Sequence, residues 1–123
     1  KNLIEYKLIK DNNINSKLNK IKPIKNRYSK ARGGTSHFYN ICCAKCGDLI
    51  LLYQKDGPGA LIRLYLDRIF EPKDKAQLQF ITEYKKIPNL VCPKCGALIG
   101  TPMIYEPENR WAIRLQRGAF SKK

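Results

Sequence analysis

The chain has 123 residues, 43% of them hydrophobic, and its 24 Lys and Arg against 10 Asp and Glu give a formal net charge of +14. This length suits one domain of ordinary size, and the sequence shows neither a membrane-spanning run nor a signal peptide. We therefore expect a soluble protein of the cytoplasm or another reducing intracellular compartment, without a membrane partner or an evident small-molecule substrate.

Residues 1–37 are predicted to form a basic arm. The segment is polar, is interrupted by Pro23 and by Gly33-Gly34, and lies largely in a stretch from Asn12 to Gly47 without any acidic residue. It can bury too little apolar surface to offset the entropy lost on ordering, so we expect it to be extended or disordered until it meets a polyanion. Its candidate nucleic-acid-binding residues are Lys17, Lys20, Lys22, Lys25, Arg27, Tyr28, Lys30 and Arg32.

The segment after the arm predicts a β-hairpin. "DLILLYQ" is followed by the turn sequence "KDGPG" and then by "ALIRLYLDRIF", in which Ile62, Leu64 and Leu66 alternate with more polar residues. A period of two is typical of a half-buried strand, and Gly and Pro between two such runs favour a tight connection. We therefore expect these two runs to pair with each other.

A connector and a second hairpin are predicted next. "EPKDKAQLQFITEYKKIPN" favours one short helix within Asp74–Tyr84, and "LVCPKCGALIGTPMIY", the turn "EPEN" and "RWAIRLQRG" predict the hairpin. Residues 43–70 and 92–120 read as a degenerate repeat, because each begins with Cys-x-x-Cys-Gly and reaches a strand containing "IRL". Residues 121–123 form a basic tail.

The paired cysteines are the strongest chemical signal in the sequence. "CAKCG" supplies Cys43 and Cys46, and "CPKCG" supplies Cys92 and Cys95. A two-residue spacer lets one tight turn, here called a knuckle, present two sulfurs to the same ion, and Zn²⁺ prefers four thiolates in a tetrahedron. We therefore predict one structural Zn²⁺ held by these four residues, with no open position for catalysis.

This arrangement resembles the zinc-ribbon superfamily, over about residues 40–120. The resemblance implies two knuckles clamping one zinc over a small antiparallel sheet, so the expected fold is mainly β. The expected zinc-ribbon domain spans residues 38–120 and contains two knuckle-plus-hairpin units joined by one short helix. The basic N-terminal extension precedes it. Members of the superfamily occur among ribosomal proteins, transcription factors, polymerase subunits and nucleic-acid-processing enzymes. The segment between the knuckles is longer than in the tightest ribbons, which leaves the strand order open.

Other interpretations of the cysteines remain open. Five cysteines is an odd number for a disulfide framework, and two similar copies before apolar strands do not fit a single redox dithiol. "CPKCG" also looks like the knuckle of rubredoxin, which would make the site an iron centre with four cysteine ligands and the chain an electron carrier. Cys42 faces away from Cys43 in an extended strand and is interpreted as packing, and His37 is a substitute ligand in an alternative register.

Nucleic-acid binding is the function that the charge distribution favours. No constellation of residues suggests catalysis, so we expect no enzyme. The leading hypothesis is a zinc-stabilised protein that binds nucleic acid, RNA in preference to DNA, as a component of a ribonucleoprotein such as the ribosome. Its candidate contacts outside the arm are Lys45, Arg63, Arg68, Lys94, Arg110, Arg114 and Arg117.

A protein-interaction module of a transcription or replication assembly is the alternative function. In that case the apolar strands "LILLY" and "LIRLYLDRIF" would act as docking edges for the partner.

Overall fold

The computed structural model describes residues 22–123, and within them the chain is mainly β, as the sequence predicted. Eight strands form two four-stranded antiparallel sheets. The strands are β1 Ser36–Cys43, β2 Leu49–Asp56, β3 Arg63–Tyr65, β4 Ile69–Glu71, β5 Leu90–Val91, β6 Leu98–Tyr105, β7 Arg110–Leu115 and β8 Phe120–Lys122. The α-helices are α1 Arg27–Ala31 and α2 Lys73–Ala76, and 3-10 turns cover Leu66–Arg68, Gln77–Phe80, Tyr84–Lys86 and Glu106–Glu108.

The core is shared by the two sheets. The first sheet has the order β4-β2-β1-β8 and the second the order β3-β7-β6-β5. Alternate positions along a strand face opposite sides of a sheet, and each sheet contributes its apolar side to one buried cluster. Its members include Ile41, Ile50, Leu51 and Tyr53 from the first sheet and Leu64, Leu90, Ile99, Ile113 and Leu115 from the second.

The second predicted hairpin is confirmed. β6 and β7 pair from Gly100 with Leu115 to Tyr105 with Arg110. The turn between them is the 3-10 turn Glu106–Glu108, and it ends at Asn109 in the left-handed region with φ of 51°. Asn tolerates that conformation better than most residues, so "EPEN" closes the hairpin as the sequence indicated.

The first predicted hairpin, between "DLILLYQ" and "ALIRLYLDRIF", is correct for the end of the second run and wrong for its beginning. β2 pairs with β1 and β4, whereas β3 pairs with β7 in the other sheet. The run "ALIRLYLDRIF" is divided by the 3-10 turn Leu66–Arg68, so its two short strands belong to different sheets. Local alternation identified strand segments correctly but contained no information about which strand would be the neighbour.

The connecting helix is shorter than Asp74–Tyr84. α2 covers Lys73–Ala76 and is followed by the 3-10 turn Gln77–Phe80, and neither element contains a buried residue. Helices in proteins depend on packing an apolar face, and without one the α-helical stretch stays at a single turn. No helix among the described residues has the length and apolar character needed to cross a membrane.

Residues 22–35 pack against the sheets, in contrast to the extended or disordered arm predicted for residues 1–37. The Asn26 side chain caps α1 at the backbone N–H groups of Tyr28 and Ser29, and Ser29 completes a capping box. The buried Gln54 amide binds the backbone N–H of Ile24 at 2.7 Å and its carbonyl at 2.9 Å. The part of the predicted arm over residues 1–21, with Lys17 and Lys20, lies outside the described residues.

Candidate metal centre

The sulfur atoms of Cys43, Cys46, Cys92 and Cys95 converge on one point, all lying within 4.8 Å of one another. Sγ of Cys43 lies 3.6 Å from Sγ of Cys95, and Sγ of Cys46 lies 3.5 Å from Sγ of Cys92. Each of these two close contacts joins a sulfur of the first knuckle to a sulfur of the second. This four-cysteine group could hold one metal ion, and it joins parts of the chain that are 46 and 52 residues apart.

Both knuckles have the same backbone geometry. The N–H of Gly47 donates to the carbonyl of Cys43 at 2.8 Å, and the N–H of Gly96 donates to that of Cys92 at 2.9 Å. The two glycines have φ of 81° and 78°, a left-handed conformation that residues with a Cβ rarely adopt. The glycine after each pair therefore lets the chain leave the turn.

The first cysteine of each knuckle belongs to the protein core. Cys43 and Cys92 are buried and pack in the apolar cluster, whereas Cys46 and Cys95 are exposed. Backbone N–H groups are directed at the buried sulfurs, with the Lys94 N–H 3.4 Å and the Cys95 N–H 3.5 Å from Sγ of Cys92. Such donors stabilise thiolates, which are the form of cysteine that ligates metals.

The thiols of the first knuckle have divergent pKa values. The backbone N–H groups of Cys46 and Lys45 outweigh burial and lower the pKa of the Cys43 thiol to about 7. The backbone N–H of Asp48 lowers the pKa of the Cys46 thiol, but burial and hydrogen bonds with the neighbouring thiols outweigh it and raise this pKa to about 12. Several negative charges cannot share so small a volume without a cation. The donor set therefore fits a positively charged ion.

Cys42 and His37 are not part of the cluster. Cys42 is buried in β1, opposite Leu49 and Ser121, outside the group of four sulfurs. His37 lies six residues before Cys43 on the same extended strand, which corresponds to roughly 20 Å at about 3.3 Å per residue. The register that pairs Cys43 with Cys46 is the one that the structure contains.

Three of the arginines proposed as nucleic-acid contacts line one groove. This arginine groove has a volume of about 550 Å³ and lies beside β3, β7 and the turn before β8. Its side chains include Arg63, Arg114 and Arg117 together with the apolar Ile62, Met103 and Phe120, and none of its described lining residues is acidic. Arg63 and Arg114 are direct cross-strand partners, so two like charges face the same side of the sheet.

The other exposed candidates are spread over the surface. Lys45 and Lys94 occupy matching exposed positions inside the two knuckles. The exposed candidates in the described part of the arm, residues 22–37, are Lys22, Lys25, Arg27 and Lys30. None of them lines the arginine groove.

Arg68 and Arg110 stabilise the fold and do not face solvent. Arg68 is 1% exposed, and its Nε donates to Asp56 at 2.9 Å. Arg110 is 6% exposed and donates to Asp67 at 2.8 Å and to Glu108 at 3.1 Å. Buried guanidinium groups in ion pairs are not available to phosphates, so Arg68 and Arg110 do not suit the nucleic-acid contacts predicted for them.

Arg32 and Tyr28 also have internal partners. Arg32 forms a two-pronged ion pair with Glu108, both contacts at 2.8 Å, and donates to the hydroxyl of Tyr65 at 3.0 Å. The ring of Tyr28 lies 4.9 Å from the guanidinium of Arg27 and 4.0 Å from that of Arg110. Tyr28 is therefore engaged by two cations, which leaves less of its ring for a nucleic acid base.

Two residues that the sequence analysis did not single out lie at surface concavities. Met103 lines the arginine groove, and Lys55 lines a smaller cavity between β2 and β3. The face of β2 on which Lys55 lies could have been inferred from the sequence. Residues two apart in a strand share a face, and Lys55 follows the buried Tyr53 by two positions in β2.

Comparison with family models, with curated proteins and with solved structures found no match to this chain. The assignment of the metal centre therefore rests on the geometry of its four sulfurs.

Proposed function

We propose that the four cysteines hold one structural Zn²⁺. The observation that supports it is the convergence of four sulfurs, with contacts of 3.5 and 3.6 Å between the knuckles. A tetrahedron with Zn–S of about 2.3 Å has S–S edges of about 3.8 Å, so a small adjustment of the side chains accommodates the ion. Four protein ligands fill the tetrahedron, and the ion then clamps the two halves of the chain together.

Metal analysis of the purified chain tests this proposal. One zinc per chain and a colourless protein are the expected result. Iron in the same site would give visible sulfur-to-iron charge-transfer absorption, and this outcome would favour the rubredoxin-like electron carrier instead. A folded, metal-free protein under reducing conditions would contradict both assignments.

We further propose that the chain binds nucleic acid in the arginine groove, with RNA preferred over DNA. The observation that supports this function is the grouping of Arg63, Arg114 and Arg117, which the sequence separates by up to 54 positions, along one concave surface. Arginine binds phosphate through paired N–H donors, and a cationic groove gains further affinity by releasing counterions. The net charge of +14 also attracts a polyanion over longer distances.

The apolar lining of the groove favours single-stranded RNA. Ile62 is 54% exposed, and Met103 and Phe120 are partly buried beside it. Unpaired bases present apolar faces that a duplex keeps stacked, and single-stranded RNA is where most proteins recognise RNA. An RNA strand would then bind its phosphates to the arginines and pack its bases against the apolar side chains of the same groove.

The docking edges of the alternative function are only partly present. β2, which carries "LILLY", has β1 on one side and β4 on the other, so its backbone is already paired. β3 and β4, from "LIRLYLDRIF", are edge strands of three residues each. So short an edge offers few backbone hydrogen bonds to a partner strand.

Binding to mixed-sequence single-stranded RNA at several salt concentrations tests the proposal. The double variant R114Q/R117Q, with both changes at exposed positions, should keep the fold and reduce the slope of log K against log[salt] by about 1.4 if each arginine meets one phosphate. The double variant K73Q/K85Q, with both changes at exposed positions outside the lining of the groove, removes the same number of cations and is the charge-matched control.

The result that overturns the proposal is an absence of binding to RNA and duplex DNA at low salt. Binding that is insensitive to salt would instead indicate an apolar interface with a protein partner. Identification of what co-purifies with the chain separates a ribonucleoprotein from a transcription or replication assembly.

A further inference from the structure

A second concave surface adjoins the arginine groove and shares the segment of residues 60–63 with it. This lysine cavity lies between the end of β2 and the start of β3 and has a volume of about 230 Å³. Its lining includes Arg32, Tyr53, Lys55, Arg63 and Tyr65. Pockets for drug-sized molecules are roughly 300–1,000 Å³, so a smaller group is the appropriate occupant.

Lys55 is a buried cation at this cavity without a carboxylate counterion in the described part of the chain. The residue is 8% exposed, and its Nζ donates to the carbonyl of Gly57 at 2.7 Å. None of the ion pairs among residues 22–123 includes it. An ammonium group has three N–H donors, and buried charges in proteins are normally paired with an opposite charge. Within residues 22–123 no carboxylate forms an ion pair with Lys55, so an anion is the group that would complete this part of the cavity.

The carboxylate in the lining of the cavity, and the one that pairs with the lining residue Arg32, are both engaged by other cations. Asp56, the acidic residue among the described lining of the cavity, receives hydrogen bonds from Ser36, Gln54 and Arg68. Glu108 is held by Arg32 and Arg110. Both carboxylates therefore have cationic partners within the fold, and the charge of Asp56 stabilises the Lys55 ammonium only in part.

Two neighbouring groups add further donors. Arg63 directs Nη1 to the Tyr65 hydroxyl at 3.2 Å, and no ion pair of the described residues includes Arg63. The Tyr65 hydroxyl accepts from both Arg32 and Arg63, which leaves its own proton as a donor.

Burial, followed by the charges of Lys122 and Arg32, lowers the pKa of Lys55, and the charge of Asp56 opposes this shift only in part.

We propose that the lysine cavity binds a phosphate group, with Lys55 and Arg63 as its cationic ligands and the Tyr65 hydroxyl as a neutral donor. A phosphate monoester carries close to two negative charges at neutral pH and three acceptor oxygens, which matches two uncompensated cations and one hydroxyl. Free phosphate and the terminal phosphate of an RNA strand in the adjoining groove present the same chemistry. The site itself does not depend on the nucleic-acid function.

Thermal unfolding and calorimetry in phosphate-free buffer test the proposal, with inorganic phosphate as the first probe. Wild-type protein should bind phosphate saturably, and a concentration of about 100 times Kd should raise the unfolding midpoint by on the order of 10 °C. Lys55→Met should weaken phosphate binding at least tenfold, and without phosphate it should be as stable as wild type or more so, because a buried unpaired charge is removed. Lys85→Met is the matched control and should bind phosphate like wild type.

A pair of oligonucleotides distinguishes the two sources of phosphate. If the cavity holds a strand end, RNA with a terminal phosphate should bind wild type at least tenfold more tightly than the same RNA with a terminal hydroxyl, and Lys55→Met should lose this difference. Equal binding of both RNAs together with saturable inorganic phosphate binding would assign the cavity to free phosphate.

The proposal is overturned if phosphate does not bind wild type, or if Lys55→Met binds it unchanged. Should Lys55→Met fail to fold, Lys55→Arg retains the charge and should retain phosphate binding. If R114Q/R117Q lost RNA binding but still bound phosphate, the result would show that the arginine groove and the lysine cavity bind their ligands independently.

Discussion

The two halves of the chain share a knuckle and then diverge. Residues 43–48 and 92–97 form turns with the same backbone hydrogen bonds and the same left-handed glycine. After the knuckle, β6 and β2 are both inner strands. β6 continues into a regular hairpin with β7, whereas the run expected to pair with β2 is divided, so that β4 pairs with β2 and β3 joins the other sheet. The backbone of the knuckle is determined within six residues, but the pairing of the strand that follows depends on the rest of the molecule.

Two arginines at matching positions in the two halves also differ, in how far they are buried. Arg68 and Arg117 each follow the second cysteine of their knuckle by 22 positions. Arg68 is buried with Asp56, and Arg117 is exposed in the arginine groove. Equivalent positions in the sequence thus serve folding in one half and face solvent in the other.

Removing one ligand from either knuckle should have the largest effect. Cys43→Ser and Cys92→Ser should each lose the metal and unfold, since a structural zinc contributes on the order of 10 kcal/mol, comparable to the entire stability of a domain. Metal analysis and circular dichroism provide the measurement.

Cys42→Ala is the control for the cysteine variants, because it changes the neighbouring buried cysteine outside the cluster. It should keep one metal ion at a cost of about 1 kcal/mol. A Cys92→Ser protein that retained both metal and fold would rule out the four-cysteine site.

Arg68→Ala should destabilise the protein by about 3–5 kcal/mol, because it leaves Asp56 buried without its counterion. Arg117→Ala at the matching position should change stability by less than about 0.5 kcal/mol, as expected for an exposed side chain. Urea unfolding of both variants measures the difference. Equal costs would mean that the two halves are more alike than the structure indicates.

Gly100→Ala should cost about 1–3 kcal/mol. Gly100 stands where the first half has Leu51, and a Cβ built on it would lie 2.5 Å from the side chain of Ile113 and 2.6 Å from the backbone oxygen of Arg114. The backbone oxygen cannot move aside without disturbing the β6–β7 pairing. Thr101→Ala, one position further along β6, is the control, and a thermal shift equal to that of Gly100→Ala would contradict the close approach.

Gly47→Ala and Gly96→Ala should each have a small effect on stability, and the two effects should be equal. Both glycines have positive φ and open space around them, so each substitution costs only the strain of a left-handed residue, about 1 kcal/mol. Unfolding midpoints of the metal-bound variants measure it. A large difference between the two would show that the knuckles are not equivalent.

Some features of the fold and site could be predicted from sequence because they are local. The spacing of Cys43 and Cys46, and of Cys92 and Cys95, identified all four members of the cluster, since a two-residue spacer and a following glycine define the turn. The β6–β7 hairpin was predictable for the same reason, because its turn residues lie between its own strands.

The disposition of the cations required the tertiary structure. Nothing in "LDRIF" indicates that Arg68 meets Asp56, or that Arg32 in the predicted arm reaches Glu108, 76 positions away. The sequence showed the excess of positive charge but could not assign individual arginines to the interior or to the surface.

By itself, the sequence determined the mainly β character, the four cysteines that cluster and the overall positive charge, because strand alternation, turn geometry and charge are local or additive properties. Only the tertiary structure decided that β3 pairs with β7, which arginines line the groove and that Lys55 is buried beside a cavity. These features arise when distant segments pack together, and their energies depend on neighbours that no short stretch of sequence specifies.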